Sequence, residues 1–157
     1  MPAHTEQVLI PHLVVGNAAG AIDFYKKGFG FEEAMKFAAP SGQIIHAELK
    51  LGDTAVIFVS DEFPHGPPGT GRSPKTLAGS CVTVHIVSND VDAAFHRAVE
   101  AGAAKVMPPT DMFWGDRFCK VIDPFGHHWS ISQHKEDVSP EEMKTRAKAM
   151  FAGWAKR

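Results

Sequence analysis

The sequence predicts an α+β fold made of two βαβββ modules, with one further helix at the C-terminal end. Three observations predict it. The order strand, helix, three strands occurs twice along the 157 residues. A stretch crowded with proline and glycine separates the two copies. The tail switches to helical periodicity behind a start signal of its own.

The first module opens with VLIPHLVV (8–15), apolar and β-branched, which reads as a strand. In NAAGAIDFYKKGFG (17–30) the period changes. Ala18, Ile22, Tyr25 and Phe29 form a helical stripe, Asn17 caps its start, and Gly28 and Gly30 end it. Three extended stretches follow. FEEAMKFAA (31–39) stops at Pro40-Ser41-Gly42; IIHAELKL (44–51) alternates, with His46, Glu48 and Lys50 on one face; TAVIFVS (54–60) follows a Gly52-Asp53 turn. Residues 61–80 contain four prolines and four glycines and read as a linker with no core element. The order then repeats. CVTVHIV (81–87) is a strand. DVDAAFHRAVEAGA (90–103) is a helix with Val91, Phe95, Ala98 and Val99 on its apolar face. KVMPP (105–109), RFCKVI (117–122) and HHWSISQH (127–134) are strands, and DPFG (123–126) is the turn between the last two. Repetition of this kind means two modules that complete one another's core. In the tail, Ser139, Pro140 and Glu142 form a capping box with proline in the first helical turn. Met143, Ala147, Met150, Phe151 and Trp154 make one apolar stripe, to be covered either by the protein's own body or by a second subunit. The expected organisation is therefore one domain over 1–157: module one at about 8–60, linker 61–80, module two at about 81–135, and the helix at about 139–156.

Composition bounds the function. Hydrophobic residues make up 44% and charged residues 22%, the balance of a chain that buries a real core. A net charge of −2 gives no electrostatic reason to expect nucleic acid or an anionic membrane as partner. No apolar run is long enough to span a bilayer, and the N-terminal residues do not read as a secretory signal. Cys81 and Cys119, far apart in sequence, read as reduced thiols of a cytoplasmic protein.

GPPGTGRS (66–73) comes within one residue of the phosphate-binding pattern G-x-x-x-x-G-K-[ST], with Arg72 in the lysine position. Its context excludes that role. Five residues intervene after the strand, and Pro74 removes an amide where a phosphate-binding helix would begin.

The repeated order, with VVGNAAGAIDFYKKGFGF in the first half and VIDPFGHHWSI in the second, resembles the vicinal oxygen chelate superfamily. This is the glyoxalase, bleomycin-resistance and extradiol-dioxygenase group. Residues 113–143 are similar to its PhnB-like branch, and the resemblance runs over about residues 8–143. It implies that the modules form a curved mixed sheet around a cleft, and that the protein is a homodimer. In metal-using members it further implies a divalent ion (zinc, nickel, iron or manganese) held by His, Glu or Gln from the first and last strands of each module. There the metal stabilises an enolate and orients the substrate. This sequence departs from that pattern. Phe58 and Ser130 stand where the last strands are expected to offer glutamates, and neither replaces a carboxylate ligand.

The candidate site follows from this. His12 and His85, one on each first strand, are the candidate metal ligands, with His128 or His134 on the final strand as a third; the alternative is that they are hydrogen-bonded cleft or surface groups. Glu48 is the candidate base, unless its face meets solvent. Trp114 and Arg117 in WGDR are candidate ligand-binding residues, a flat apolar face and a fork for a carboxylate or phosphonate; the alternative is that Trp114 covers the core and Arg117 pairs locally. Phe58, Ser130 and His128 complete the candidate ligand-binding set. Asp123 reads as a turn former and Trp129 as core. The expected function is binding of a small organic molecule in the cleft without the usual His/Glu metal set, with 11 phenylalanines and 3 tryptophans available to line it. The competing function is a metal-dependent lyase, isomerase or dioxygenase of the same superfamily.

Overall fold

Residues 9–154 are described by a computed structural model. Each module begins with a short strand, crosses over through a helix, and returns as a three-stranded meander. In the first, β1 (His12–Val15) leads to α1 (Ala18–Phe24), then to β2 (Glu32–Ala38), β3 (Ile44–Leu51) and β4 (Ala55–Asp61). In the second, β5 (Thr83–Val87) leads to α3 (Val91–Glu100), then to β6 (Ala104–Asp111), β7 (Asp116–Ile122) and β8 (His128–His134). The strand orders are β1-β4-β3-β2 and β5-β8-β7-β6. In both sheets the first strand pairs parallel with the last, and the remaining pairs are antiparallel. The two βαβββ modules and the α+β class are as the sequence predicts.

Beyond shifts of one to three residues at the ends of other elements, the structure departs from the sequence reading in four ways. The first strand starts at His12, because Pro11 has no N–H to give the ladder, although its carbonyl still accepts from Phe58 N at 2.8 Å. Residue 8, where that strand was expected to begin, lies outside the described residues. The first helix keeps its Asn17 cap but widens into a π-helical turn over Tyr25–Phe29 before Gly30 ends it in the left-handed region at φ 79°. The widened turn aims Tyr25, Gly28 and Phe29 inward together. The linker is not free of regular structure: α2 (Pro74–Leu77) forms where Ser73 caps Thr76 N and Pro74 sits in the first turn. Behind it, the buried Glu62 carboxylate accepts hydrogen bonds from Arg72 Nε, Ser73 Oγ and Thr76 Oγ1, each at 2.6 Å. Finally, α4 (Pro140–Trp154) buries none of its residues. Its stripe meets the body at the β6–β7 loop, where the Phe151 and Phe113 rings lie 6.5 Å apart. Residues 155 and 156 of the expected helix are outside the described part.

Each sheet has one face covered by helix. Leu13, Val15, Ala47, Leu49, Ile57 and Val59 point towards α1, and Cys119, Val121, Trp129 and Ile131 towards α3. The two layers join in a single core, because the π-helical turn packs on α3 and carries Tyr25 and Phe29 against Trp129, with ring centroids 5.3 and 4.5 Å away. Asp123 sits at this junction, 2% exposed. One carboxylate oxygen accepts from Tyr25 Oη at 2.7 Å and Trp129 Nε1 at 2.9 Å; the other accepts from Phe125 N and His127 N, both at 2.9 Å. The DPFG turn former is thus also the polar bridge between modules.

Candidate functional site

Ladder register decides what the opposite, helix-free faces carry. In the first sheet His12, Phe58, Glu48 and Met35 form one cross-strand row. In the second sheet the equivalent row is His85, Ser130, Lys120 and Met107. Ser60 and Ser132 occupy equivalent places in the next row. The internal repeat therefore aligns His12 with His85, Phe58 with Ser130, and Glu48 with Lys120.

The first open face is a cluster of imidazole, carboxylate and ring. His12 Nε2 lies 3.0 Å from Ser60 Oγ, and His46 Nε2 lies 3.3 Å from Glu48 Oε1. The His46 ring edges onto Phe58 at 4.6 Å and stands 6.3 Å from His12. Burial, and after it the neighbouring His46, hold the His12 imidazole below its ordinary value. Glu48 is not a solvent-facing side chain: it is fully buried. The linker folds against this face. A cavity of about 600 Å³ lies between His12, Val14, Ile45 and Ser60 on one side and Phe63 with Pro67–Gly71 on the other. Gly71 allows the approach, since a Cβ there would lie 2.6 Å from Val14 Cγ2. Sequence reasoning took 61–80 for a connection and missed that it walls a ligand-sized space.

The second open face is more exposed in its central row: Lys120 is exposed where the first face has the buried Glu48. His85 bridges two hydroxyls, Nδ1 to Ser130 Oγ at 2.7 Å and Nε2 to Ser132 Oγ at 3.0 Å. The Phe118 ring lies near-parallel to it, at 17° and 6.2 Å. Lys120 Nζ stands over Phe118, 5.8 Å from its centroid. Trp114 meets Phe118 edge-on at 5.6 Å, and its indole N–H donates to Asp116 at 3.1 Å.

Most of the sequence-nominated residues divide between these two faces. His12, Glu48 and Phe58 share the first. His85, Ser130 and His128 share the second, with Trp114 at its edge. Arg117 is one register step off, opposite Gln133, and does not join them. Its guanidinium clasps Asp92 on α3 at 2.6 and 2.8 Å and Asp111 at 2.9 Å. His46 and Lys120 were not nominated. The alternation in RFCKVI held the clue to Lys120: once Cys119 and Val121 are assigned to the core, Phe118 and Lys120 must face the other way.

A divalent ion fits these residues poorly. The described residues contain no group of three or more His, Cys, Asp or Glu side chains that could hold one. His12 and His85 sit on different sheets, and both ring nitrogens of His85 are already engaged by serine hydroxyls.

Comparison with known proteins agrees with this architecture. Residues 3–131 match the sequence profile of the Glyoxalase/Bleomycin resistance protein/Dioxygenase superfamily. The chain is 43% identical over 144 residues to the uncharacterized protein Mb0911c of Mycobacterium bovis, covering 92% of this chain and 94% of that one. Among solved structures it is similar to TioX from Micromonospora sp. ML1, with TM-score 0.64 and 29% identity over 82% of this chain and 98% of the other. A PhnB protein from Bacillus cereus shares the fold at TM-score 0.60, with 17% identity over 81% of this chain and 99% of the other.

Proposed function

Because the chain belongs to the Glyoxalase/Bleomycin resistance protein/Dioxygenase superfamily, we propose that it binds a small organic molecule on its open sheet faces, without the usual His/Glu metal set. The observation that carries this reading is the cavity of about 600 Å³ at the first open face, within the size range of organic-ligand pockets and walled by the linker. The donor pattern supports it. Phe58 and Ser130 replace carboxylates, and the two first-strand histidines are held by serines rather than aimed at a common point.

The working unit of this proposal is a homodimer in the cytoplasm, with the 157 residues acting as one domain. Within a chain the sheets share a helix-side core and no ladder, so their open faces are two half-clefts. Setting the second face of one copy against the first face of another would complete both. Cys81 and Cys119 are unpaired, which suits a reducing compartment.

One observation favours a second reading, that the site also catalyses. Glu48 is buried against His46 on the His12 face, an arrangement suited to moving a proton. The test is metal analysis of untagged protein together with a thermal-shift ligand screen. Ligand-dependent stabilisation in metal-free protein supports binding, since ligand raises stability by mass action. Near-stoichiometric zinc, nickel, iron or manganese, lost in His12→Ala and His85→Ala, would overturn the metal-free reading in favour of a metal-dependent lyase, isomerase or dioxygenase.

A further inference from the structure

We infer that the molecule held on the second open face carries an anionic group beside a flat ring, with Lys120 as its counter-charge. The inference rests on the small-molecule reading above and concerns its chemistry. Lys120 is the one lysine or arginine among the residues that the ladder places in the open rows of β5, β7 and β8. Among the described residues it has no ion-pair partner and is solvent-exposed. The neighbouring Arg117 is turned to the other side and clasped by Asp92 and Asp111. Lys120 is thus a cation without a counter-charge among the described residues of this open face.

Thr83 and His128 lie one row away, on the side of Lys120 opposite Phe118; the polar groups in the Lys120 row and on its Phe118 side are already engaged. His85 uses both ring nitrogens on Ser130 and Ser132, whose hydroxyls are buried beneath it. Asp116 is the one carboxylate in these rows. It accepts from the Trp114 indole, and its other oxygen lies 3.3 Å from His134 Nδ1. What remains for a ligand beside Lys120, on its Phe118 side, is ring surface and positive charge: Phe118, in contact with His85 and Trp114, with Lys120 over it. A flat ring can stack along this row while an attached carboxylate or phosphonate reaches the ammonium. A cationic ligand would meet like charge. The first face makes the contrast sharp. At the position equivalent to Lys120 it carries Glu48, buried against His46 and so withdrawn from any charge on the facing surface.

The test is a ¹⁵N-NMR titration of the full chain with three probes of one shape: 2-naphthoate, 2-naphthylmethanol and 2-naphthylmethylammonium. A fourth, 2-naphthylphosphonate, separates carboxylate from phosphonate recognition. The readout is the Phe118 and Ser130 amides and the Trp114 indole N–H. Expected is an anion bound about tenfold tighter than the alcohol, the size of one charge-assisted hydrogen bond. Lys120→Met should erase that preference and leave the alcohol's affinity unchanged, because the methionine keeps most of the apolar stem. Lys120→Arg should retain it. The variants' own spectra report whether they fold. An alcohol or ammonium bound as tightly as the anions, or an anion preference that survives Lys120→Met, overturns the inference and leaves the small-molecule reading in place. Shifts confined to the His12 and His46 amides do the same. Probes that perturb neither face remove the reading and the inference together.

Discussion

Replacing Asp123 with asparagine changes one atom of the side chain and one charge, yet it strikes the junction between the modules. The native carboxylate accepts four hydrogen bonds in a site 2% exposed, two from Tyr25 and Trp129 and two from the backbone of its own turn. An amide has one oxygen. Whichever way it turns, its NH₂ meets two donors, and the Trp129 indole and both backbone N–H groups cannot reverse their role. Hydrogen bonds to a charged group contribute about 1.5–3 kcal/mol each, and a buried donor left unmet costs about 1–3 kcal/mol. Asp123→Asn is therefore expected to destabilise by about 3–5 kcal/mol, a large share of the typical 5–15 kcal/mol of a domain. Tyr25→Phe removes one of four donors and should cost about 1–2 kcal/mol. In the asparagine background the same change should cost at least ~1 kcal/mol less, because the tyrosine has already lost its carboxylate partner. Urea unfolding followed by tryptophan fluorescence measures all four proteins of the cycle. An Asp123→Asn midpoint within about 1 kcal/mol of the parent, or strict additivity, would refute the bridging role. The same contact sets a pH limit. Burial first, then the Asp123 charge and hydrogen bond, push the Tyr25 hydroxyl well above its ordinary value of 10.0. The unfolded chain gives up that proton first, so stability holds below about pH 10 and falls above it. Tyr25→Phe should flatten this loss.

Four further outcomes are expected. The Ser73 and Thr76 hydroxyls, then Arg72, hold the Glu62 carboxyl down to about 2 from 4.5, so amide protection of the linker should be full above about pH 4.5 and fade as pH falls through 2; Glu62→Gln should open the linker at neutral pH, and exchange equal to the parent's would contradict this. Gly71→Ala drives a methyl to 2.6 Å from Val14 and should cost about 1–3 kcal/mol while displacing the cavity wall, read by urea melts and by exchange at 67–71. In native protein at pH 8 a thiol reagent should modify Cys81 alone, because burial lifts the Cys119 thiol to about 11; two equivalents before unfolding would refute the packing of β7. Truncation after Val138 should leave both sheets folded, since α4 buries no residue, and a loss beyond about 2 kcal/mol would show that its stripe is covered.

The modules were legible in the sequence because strand, helix and turn residues agree locally at nearly every element. Alternation in IIHAELKL put His46, Glu48 and Lys50 on one face correctly, but it cannot say what lies over that face. A linker crowded with proline and glycine gives no periodic signal, so neither its role as a cavity wall nor the burial of Glu48 beneath that side of the molecule could be read. Parity separated Lys120 from Arg117. A shift of one residue exchanges open face for helix face, and a strand bounded only by loops does not fix that choice. The α4 stripe was plain as a pattern, while its partner was not, because amphipathicity records that a surface needs covering and not by what.

The Asp123 bridge also bears on how resemblance between such chains should be read. The segment that carries the resemblance of this sequence to its family holds a tyrosine, an indole and its own bend in place. It lies on the helix side of the sheet, away from both surfaces where a guest would rest. Two chains that share it can share a skeleton and still differ on the other side of the same strands.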